Sequence, residues 1–287
     1  KYETGSDMRK EARIVNIIHC VDRILQQDDE IQRLGIRLPS YMILAVNPSC
    51  AIVEWIENTG TLKTIIHEIW KNEKLDLDIQ KVGRNYYTNG RDISPENWQK
   101  LNSENPVSLQ NCFFEFYKPG NEWLKVRTNF ARSLAAWSML GFVIGLGDRH
   151  CDNILLIETT GELLFIDFEC VFGMGKILPK PEVVPFRLTP EFQAAMGLFH
   201  EEGEFLNSAA IVLAVLQKHK YVLLSQFESF VSDPIGCEIR NPDISPEDRD
   251  LRNTIKVVES RLENKPTVNS RPFNSTRRMV KHLVNEA

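Results

Sequence analysis

The chain has no pair of cysteines two residues apart and no apolar stretch long enough to cross a bilayer. Its six cysteines, Cys20, Cys50, Cys112, Cys151, Cys170 and Cys237, are scattered, and no Cys/His set has the spacing of zinc ligands. Reduced thiols in a cytosolic or nuclear protein are the expectation. The longest apolar run, Leu134–Leu146, is interrupted by Ser138 and falls short of the roughly 20 residues of a membrane span. It reads as a buried core helix, so no membrane association is expected. Basic charge is also scarce. The formal net charge is −5, whereas a general nucleic-acid surface calls for a strongly basic domain, so no direct nucleic-acid binding by this chain is expected. An initiator Met and a signal peptide are missing, and Lys1 reads as the start of a fragment. There is no internal repeat. What is present is ordinary globular composition, 43% hydrophobic and 25% charged over 287 residues. That suffices for one large domain or a two-lobed unit.

Apolar periodicity places the elements. Ile14, Ile18, Val21 and Leu25 recur at helical spacing, predicting one helix from Ser6 or Asp7 to Gly35, with Pro39 beyond. Tyr41–Ile56 alternates and turns at Asn47-Pro48-Ser49, which predicts a hairpin. A helix with the face Leu62, Ile65, Ile66 and Ile69 follows. Residues 72–110 are polar and aperiodic, with loop signals, and read as a linking region. A long helix then runs to Gly145 and Gly147, apolar almost all round in its second half. Ile154–Ile157 and Leu163–Ile166 form a second hairpin around Thr160-Gly161. Residues 170–188 read as an ordered surface loop, 191–232 as helices and 236–250 as a mobile loop. Leu251–Leu262 and Arg277–Asn285 are two further helices.

The chemistry concentrates in "GLGDRHCDN", residues 145–153, just after the buried helix. Asp148 and Asn153 are five apart, and Asp167 follows fourteen residues after Asn153 across the second hairpin. Folding back sets Asp167 beside the loop. An Asn oxygen and a carboxylate can hold a hard cation such as Mg²⁺, which keeps phosphates and water as its other ligands. The remaining Asp can accept a hydroxyl proton or orient the nucleophile. Protein kinases place the same parts at D-x-x-x-x-N followed by Asp-Phe. Singly, each residue has a plain alternative: a local ion pair, a satisfied loop histidine, a strand cap. Their joint spacing is what argues for chemistry.

The triplet Asp148-Arg149-His150, inside GLGDRHxxN…IDF and followed by Pro185-Phe186-Arg187-Leu188-Thr189, resembles the phosphatidylinositol-3-kinase-like superfamily. "DMRKEARI" (Asp7–Ile14), "EWIENTGTL" (Glu54–Leu62) and the closing "VVESRLENKP…STRRMVKHLVNEA" are similar to its related protein kinases, nearest the ATR checkpoint branch. The resemblance covers nearly the whole chain and is weakest over 72–110. It implies an α+β, bilobal protein-kinase-like fold of the PI3/PI4-kinase type, with a truncated N-lobe and hinge at 1–57 and a mainly helical C-lobe at 58–235. Residues 236–270 would be a regulatory-type loop, and 271–287 the start of the FATC segment. ATP with Mg²⁺, or Mn²⁺, is the implied nucleotide and metal. Asp148 would orient or deprotonate a hydroxyl, and His150 would bond the transferring phosphoryl group. Asn153 and Asp167 would bind the metal. Glu54, Trp55 and Ile56 would form the hinge. Tyr41, Val53, Thr61, Leu155 and Ile166 would line the nucleotide pocket. Glu11 would be the acidic partner of a phosphate-binding lysine, for which Lys1 is the candidate.

Three departures stand out. The phosphate-covering loop and first N-lobe strands are missing, so this stretch alone is expected to bind ATP poorly. Phe165 stands where the family usually has His. The FATC tail stops at Ala287, before its expected aromatic end. Between Phe168 and Pro185 the only basic residues are Lys176 and Lys180, offset by Glu169 and Glu182. A binder of multiply phosphorylated lipid needs a basic cluster there, so Ser/Thr of proteins is the favoured acceptor. Phosphoinositide and a catalytically inactive scaffold are the alternatives. The resemblance further implies Ser/Thr-Gln sites, with a Gln pocket sought at Leu178–Glu182, a nuclear checkpoint role, and a regulatory subunit of the ATRIP type bound outside this chain.

Overall fold

The structure, a computed structural model, describes residues 7–72, 109–117, 120–178, 181–232 and 251–287. Lys1, most of the linking region read at 72–110 and the loop at 236–250 lie outside the described residues.

The chain opens with α1 (Met8–Leu25), whose first turn is capped by the Asp7 carboxylate accepting from Arg9 N. The stripe Ile14, Ile18, Val21 and Leu25 is buried. So are Val15, Ile17 and Ile24, because α1 packs on the first hairpin on one side and on C-terminal helices on the other. The single helix read from 7 to 35 is in fact two. The polar run Gln26-Gln27-Asp28 breaks it, and Asp28 caps α2 (Asp29–Leu34) by accepting from Glu30 N and Ile31 N. The Gln26 side chain then ties the return by donating to Ile36 O at 2.9 Å.

The first hairpin is β1 (Ile43–Asn47) and β2 (Cys50–Val53), antiparallel, with Ile43 opposite Val53. Asn47 Oδ1 accepts from Ser49 N and shapes the turn. A second sheet follows the order β3 (Thr59–Thr61), β4 (Ile154–Ile157), β5 (Leu163–Phe165). Strand β3 does not stand out in the sequence. It is three residues long, and its partner is nearly a hundred positions away, with Thr59 opposite Ile157 and Thr61 opposite Leu155. Strand β5 ends one residue earlier than the alternation implied.

Helix α3 (Leu62–Asn72) buries the expected face. Helix α4 (Leu109–Phe116) is tied to α6 (Pro190–Ala195) by Leu109 N donating to Glu191. Helix α5 (Gly120–Ile144) is the axis of the core. Residues 133–144 of it are all buried, and it packs along α7 (Glu204–Lys218). Helices α8 (Lys220–Ser232), α9 (Leu251–Leu262) and α10 (Thr276–Glu286) complete the helical part, α10 lying on α7 and α9 on α8 and α5. The 170–188 segment is only partly a surface loop. It carries a 3₁₀ turn at Met174–Ile177 and buries Cys170, Val171, Phe186 and Leu188. Among the described residues no helix is long and apolar enough to cross a membrane, and Cys20, Cys50, Cys151 and Cys170 are free thiols.

Candidate active site

Helix α5 delivers the polar stretch to one place. Its end is held by backbone bonds to the 170s segment: Phe172 N to Ile144 O, Gly173 N to Gly145 O, and Gly147 N to Cys170 O, at 2.7–2.9 Å. That proximity requires glycine. A Cβ on Gly145, whose φ is +63°, would sit 2.7 Å from Gly173 N, and one on Gly147 would sit 2.7 Å from Gly175 Cα. The neighbouring Cys170 thiol is pushed up to about 11 by burial.

Asp148 follows in left-handed backbone geometry, φ +59°, a conformation L-residues adopt at a cost of about 1–2 kcal/mol. Both of its backbone groups are engaged. Its N–H donates to Glu182 Oε2 at 2.7 Å and its carbonyl accepts from Asn153 Nδ2 at 3.0 Å. The half-exposed carboxylate is left to face outward, 3.8 Å from His150 Nε2. Glu182 also accepts from Arg149 N, so one carboxylate clamps two consecutive amides of the loop. Glu182, in the span where a Gln pocket was sought, thus has its carboxylate engaged by the Asp148 loop.

Arg149 is buried and acts as a clasp. Its guanidinium donates to Gly147 O at 2.7 Å, to Ile166 O at 2.8 Å and to Asp167 O, and lies 5.8 Å from the centroid of the Phe168 ring. Burial holds its pKa below the usual arginine value, and the charges of Asp167, Asp148 and Glu182 pull the other way. The clasp binds the two halves of the site. Asn153 is likewise buried, and its carbonyl accepts from Ile166 N at 3.1 Å, so Asn153 and Asp167 come from adjoining strand ends. With Nδ2 bonded to Asp148 O, the Asn153 Oδ1 atom remains for a ligand. Asp167 is the second residue of the site with positive φ, +60°.

Of the other residues that the sequence singles out, Lys1 lies outside the described residues, and Glu11 and Tyr41 are linked to this centre by hydrogen bonds. Glu11 is buried and accepts from the Tyr41 hydroxyl at 2.9 Å. The same hydroxyl accepts from Asp167 N at 3.4 Å, linking α1 to the segment after β5. Burial, then the Glu11 charge, push the Tyr41 hydroxyl well above the usual phenol range. Four rings stack in series, Phe165 on Trp137, Trp137 on Phe168 and Phe168 on Tyr41, with centroids 4.7, 5.8 and 6.1 Å apart. Phe165 is therefore a packing residue in the core. Val53 is paired with Ile43, and Leu155 with Thr61 and Leu164. The Thr61 hydroxyl accepts from Thr64 N at the start of α3. Glu54 folds back to accept from Met42 N, Ile56 packs partly against the core, and Trp55 stands 84% exposed. Asp152 pairs with Lys63 at 2.8 Å, and Cys151 Sγ accepts from Arg187. Sequence reasoning missed Glu182 as the loop clamp and Tyr41 as the link. No spacing rule marks either residue, because both act across thirty positions or more.

A Tyr41→Phe variant keeps the ring stack and removes the hydroxyl. It is expected to lose about 1–2 kcal/mol, read as a lower urea midpoint at unchanged slope. An unchanged midpoint would mean the Glu11–Tyr41–Asp167 link holds nothing.

The profile of the family described as phosphatidylinositol 3- and 4-kinase matches residues 1–238. The chain belongs to that family. Its curated relatives include Serine/threonine-protein kinase ATR of Oryza sativa subsp. indica, 32% identical over 254 residues, which cover 82% of this chain and 9% of that protein. Protein kinase rad3 of Schizosaccharomyces pombe is 33% identical over 231 residues, covering 80% and 10%. The solved "FAT and kinase domain of CtTel1" superposes with a TM-score of 0.83 at 27% identity, over 98% of this chain and 20% of that one. The chain spans about a tenth of the length of the curated relatives it matches. The fold is the bilobal kinase type of this PI3/PI4-kinase family, small sheets beside a mainly helical lobe.

Proposed function

We propose that this chain forms the phosphotransfer centre of an ATP-dependent serine/threonine protein kinase of the ATR type. The observation that carries the reading is the arrangement of Asp148, Asn153 and Asp167 at one loop junction, clasped by Arg149. The names of the similar proteins point the same way.

The donor set fits a hard divalent cation. Among the described residues no three His, Cys, Asp or Glu side chains converge to hold a metal by themselves. Asn153 Oδ1 and the Asp167 carboxylate are two oxygen donors, the small protein share that Mg²⁺ takes when phosphates and water complete its shell. When bound there, Mg²⁺ or Mn²⁺ would neutralise charge on the phosphates. The chain's own residues do the positioning on which phosphoryl transfer depends. Asp148, its backbone fixed on both sides, presents a carboxylate that orients the acceptor hydroxyl and takes its proton. His150, beside it, donates to the transferring group. Trp55 offers an exposed indole face for adenine, with the backbone of Glu54 and Ile56 reading its edge. Tyr41, Val53, Thr61, Leu155 and Ile166 line the nucleotide site. Glu11 is the acidic residue that would pair with a phosphate-binding lysine, the role assigned to Lys1.

The offset charges between Phe168 and Pro185 favour a protein acceptor over an anionic lipid headgroup. The finer reading is Ser/Thr followed by Gln, in nuclear checkpoint signalling, with an ATRIP-type subunit bound elsewhere on the protein. The test offers the intact protein, with ATP and Mg²⁺, a Ser-Gln peptide and phosphoinositide vesicles in parallel. Phosphate on the peptide is expected. Transfer to the lipid alone, or to neither, would overturn the proposal.

A further inference from the structure

We propose that Arg261, one residue from the end of α9, is a positioning residue for phosphoryl transfer: it caps α5 and so holds the loop that presents Asp148. The inference rests on the kinase reading above. It starts from the carbonyls left over where α5 ends, each of which needs a donor. Gly141 O accepts from Leu146 N, Ile144 O from Phe172 N and Gly145 O from Gly173 N. Phe142 O, which also accepts from Gly145 N at 3.3 Å, and Val143 O are both reached by one atom of a distant residue, Arg261 Nη1, at 2.7 and 3.3 Å. The guanidinium also lies 5.2 Å from the centroid of the Phe142 ring. A cation at a helix C-terminus complements the helix dipole.

Arg261 is poorly served in return. Its buried Nε has no partner among the described residues. Burial pushes its pKa down to about 10. An arginine enclosed in this way contributes less to stability than a well-paired one. What it does supply is placement. A Cβ on Gly145 would come 3.0 Å from Nη1, so the guanidinium fills the space beside the residue where the chain leaves the helix. Asp148 lies three residues on. Arg261 also lines two clefts, one shared with Asn253, Thr254 and Val257 of α9, the other with Glu182 and His282. The side chain thus sits between the catalytic loop, the Glu182 clamp and the C-terminal helices. A displacement of α9 would withdraw the cap and loosen the loop without touching any residue that meets substrate.

The test compares Arg261→Met and Arg261→Lys with the wild type in the intact protein. Active sites are counted by nucleotide binding, and amide exchange is followed over residues 145–149. In the Met variant kcat per counted site is expected to fall about tenfold or more, the scale of a small misplacement of a catalytic group. KM for ATP should stay within about twofold, and exchange over 145–149 should quicken. Lysine puts an ammonium donor near the same carbonyls and is expected to recover part of kcat. A merely structural residue would lower the midpoint of unfolding and leave kcat per counted site alone. Wild-type kcat per site in the Met variant overturns the proposal. Should that variant not fold, wild-type kcat and wild-type exchange together in the Lys variant overturn it. A wild type that transfers no phosphate would sink the kinase reading instead, and the exchange measurement would still decide whether Arg261 holds the loop.

Discussion

Asp167→Asn is expected to lower phosphate transfer by about a thousandfold, the several kcal/mol that a bound cation contributes to a charged transition state. The fold should survive. Among the described residues the Asp167 carboxylate has one weak hydrogen bond, accepting from Glu169 N at 3.5 Å, while its backbone makes the structural bonds to Arg149 and Tyr41. Asparagine is the informative replacement because it tolerates the left-handed backbone at this position, φ +60°. Alanine would add about 1 kcal/mol of conformational strain and confuse loss of metal binding with loss of structure. The checks are initial rates on a Ser-Gln peptide across a Mg²⁺ titration, and a urea curve within about 0.5 kcal/mol of wild type. A variant that keeps more than about a tenth of the activity at saturating Mg²⁺ would remove Asp167 from the site.

Arg149→Met is expected to damage stability and activity together. Three carbonyls, of Gly147, Ile166 and Asp167, lose a charged donor at once. Hydrogen bonds to charged groups contribute about 1.5–3 kcal/mol each and do not add fully, so a loss of about 3 kcal/mol or more is expected. The urea midpoint should fall at constant slope. Lysine should not rescue, because a single ammonium cannot reproduce a planar fork that reaches both the loop after α5 and the end of β5. A Met variant within about 1 kcal/mol of wild type would show that the loops are held by something else.

Much of this site is legible in the sequence because its parts are local. Asp148 and Asn153 share one loop, and the β4–β5 hairpin returns the chain to Asp167 with few ways to fold. Helix α5 announces itself through an apolar stretch that no solvated helix would carry. What stays hidden is what depends on distant partners. Strand β3 exists because β4 lies beside it. The break between α1 and α2 depends on a cap and a side-chain tether that periodicity does not register. Glu182 reads as one more loop carboxylate until its two amides are in view. Phe165 departs from the family pattern, and the sequence does not show where its side chain goes. In the structure its ring packs on Trp137 among other rings and apolar neighbours.

The ring stack also makes the protein optically readable. Trp137 is enclosed between Phe165 and Phe168, with its indole N–H bonded to Leu163 O, so its fluorescence would be that of a dry, rigid chromophore. Trp55, the residue proposed to meet adenine, stands in water and would emit to the red of it. Quenching of the red component would follow occupation of the proposed nucleotide site, while a red shift of the blue component would follow loosening beneath Asp167. The chain has five tryptophans, so variants that keep only Trp55 or only Trp137 would separate filling of the site from loss of its foundation.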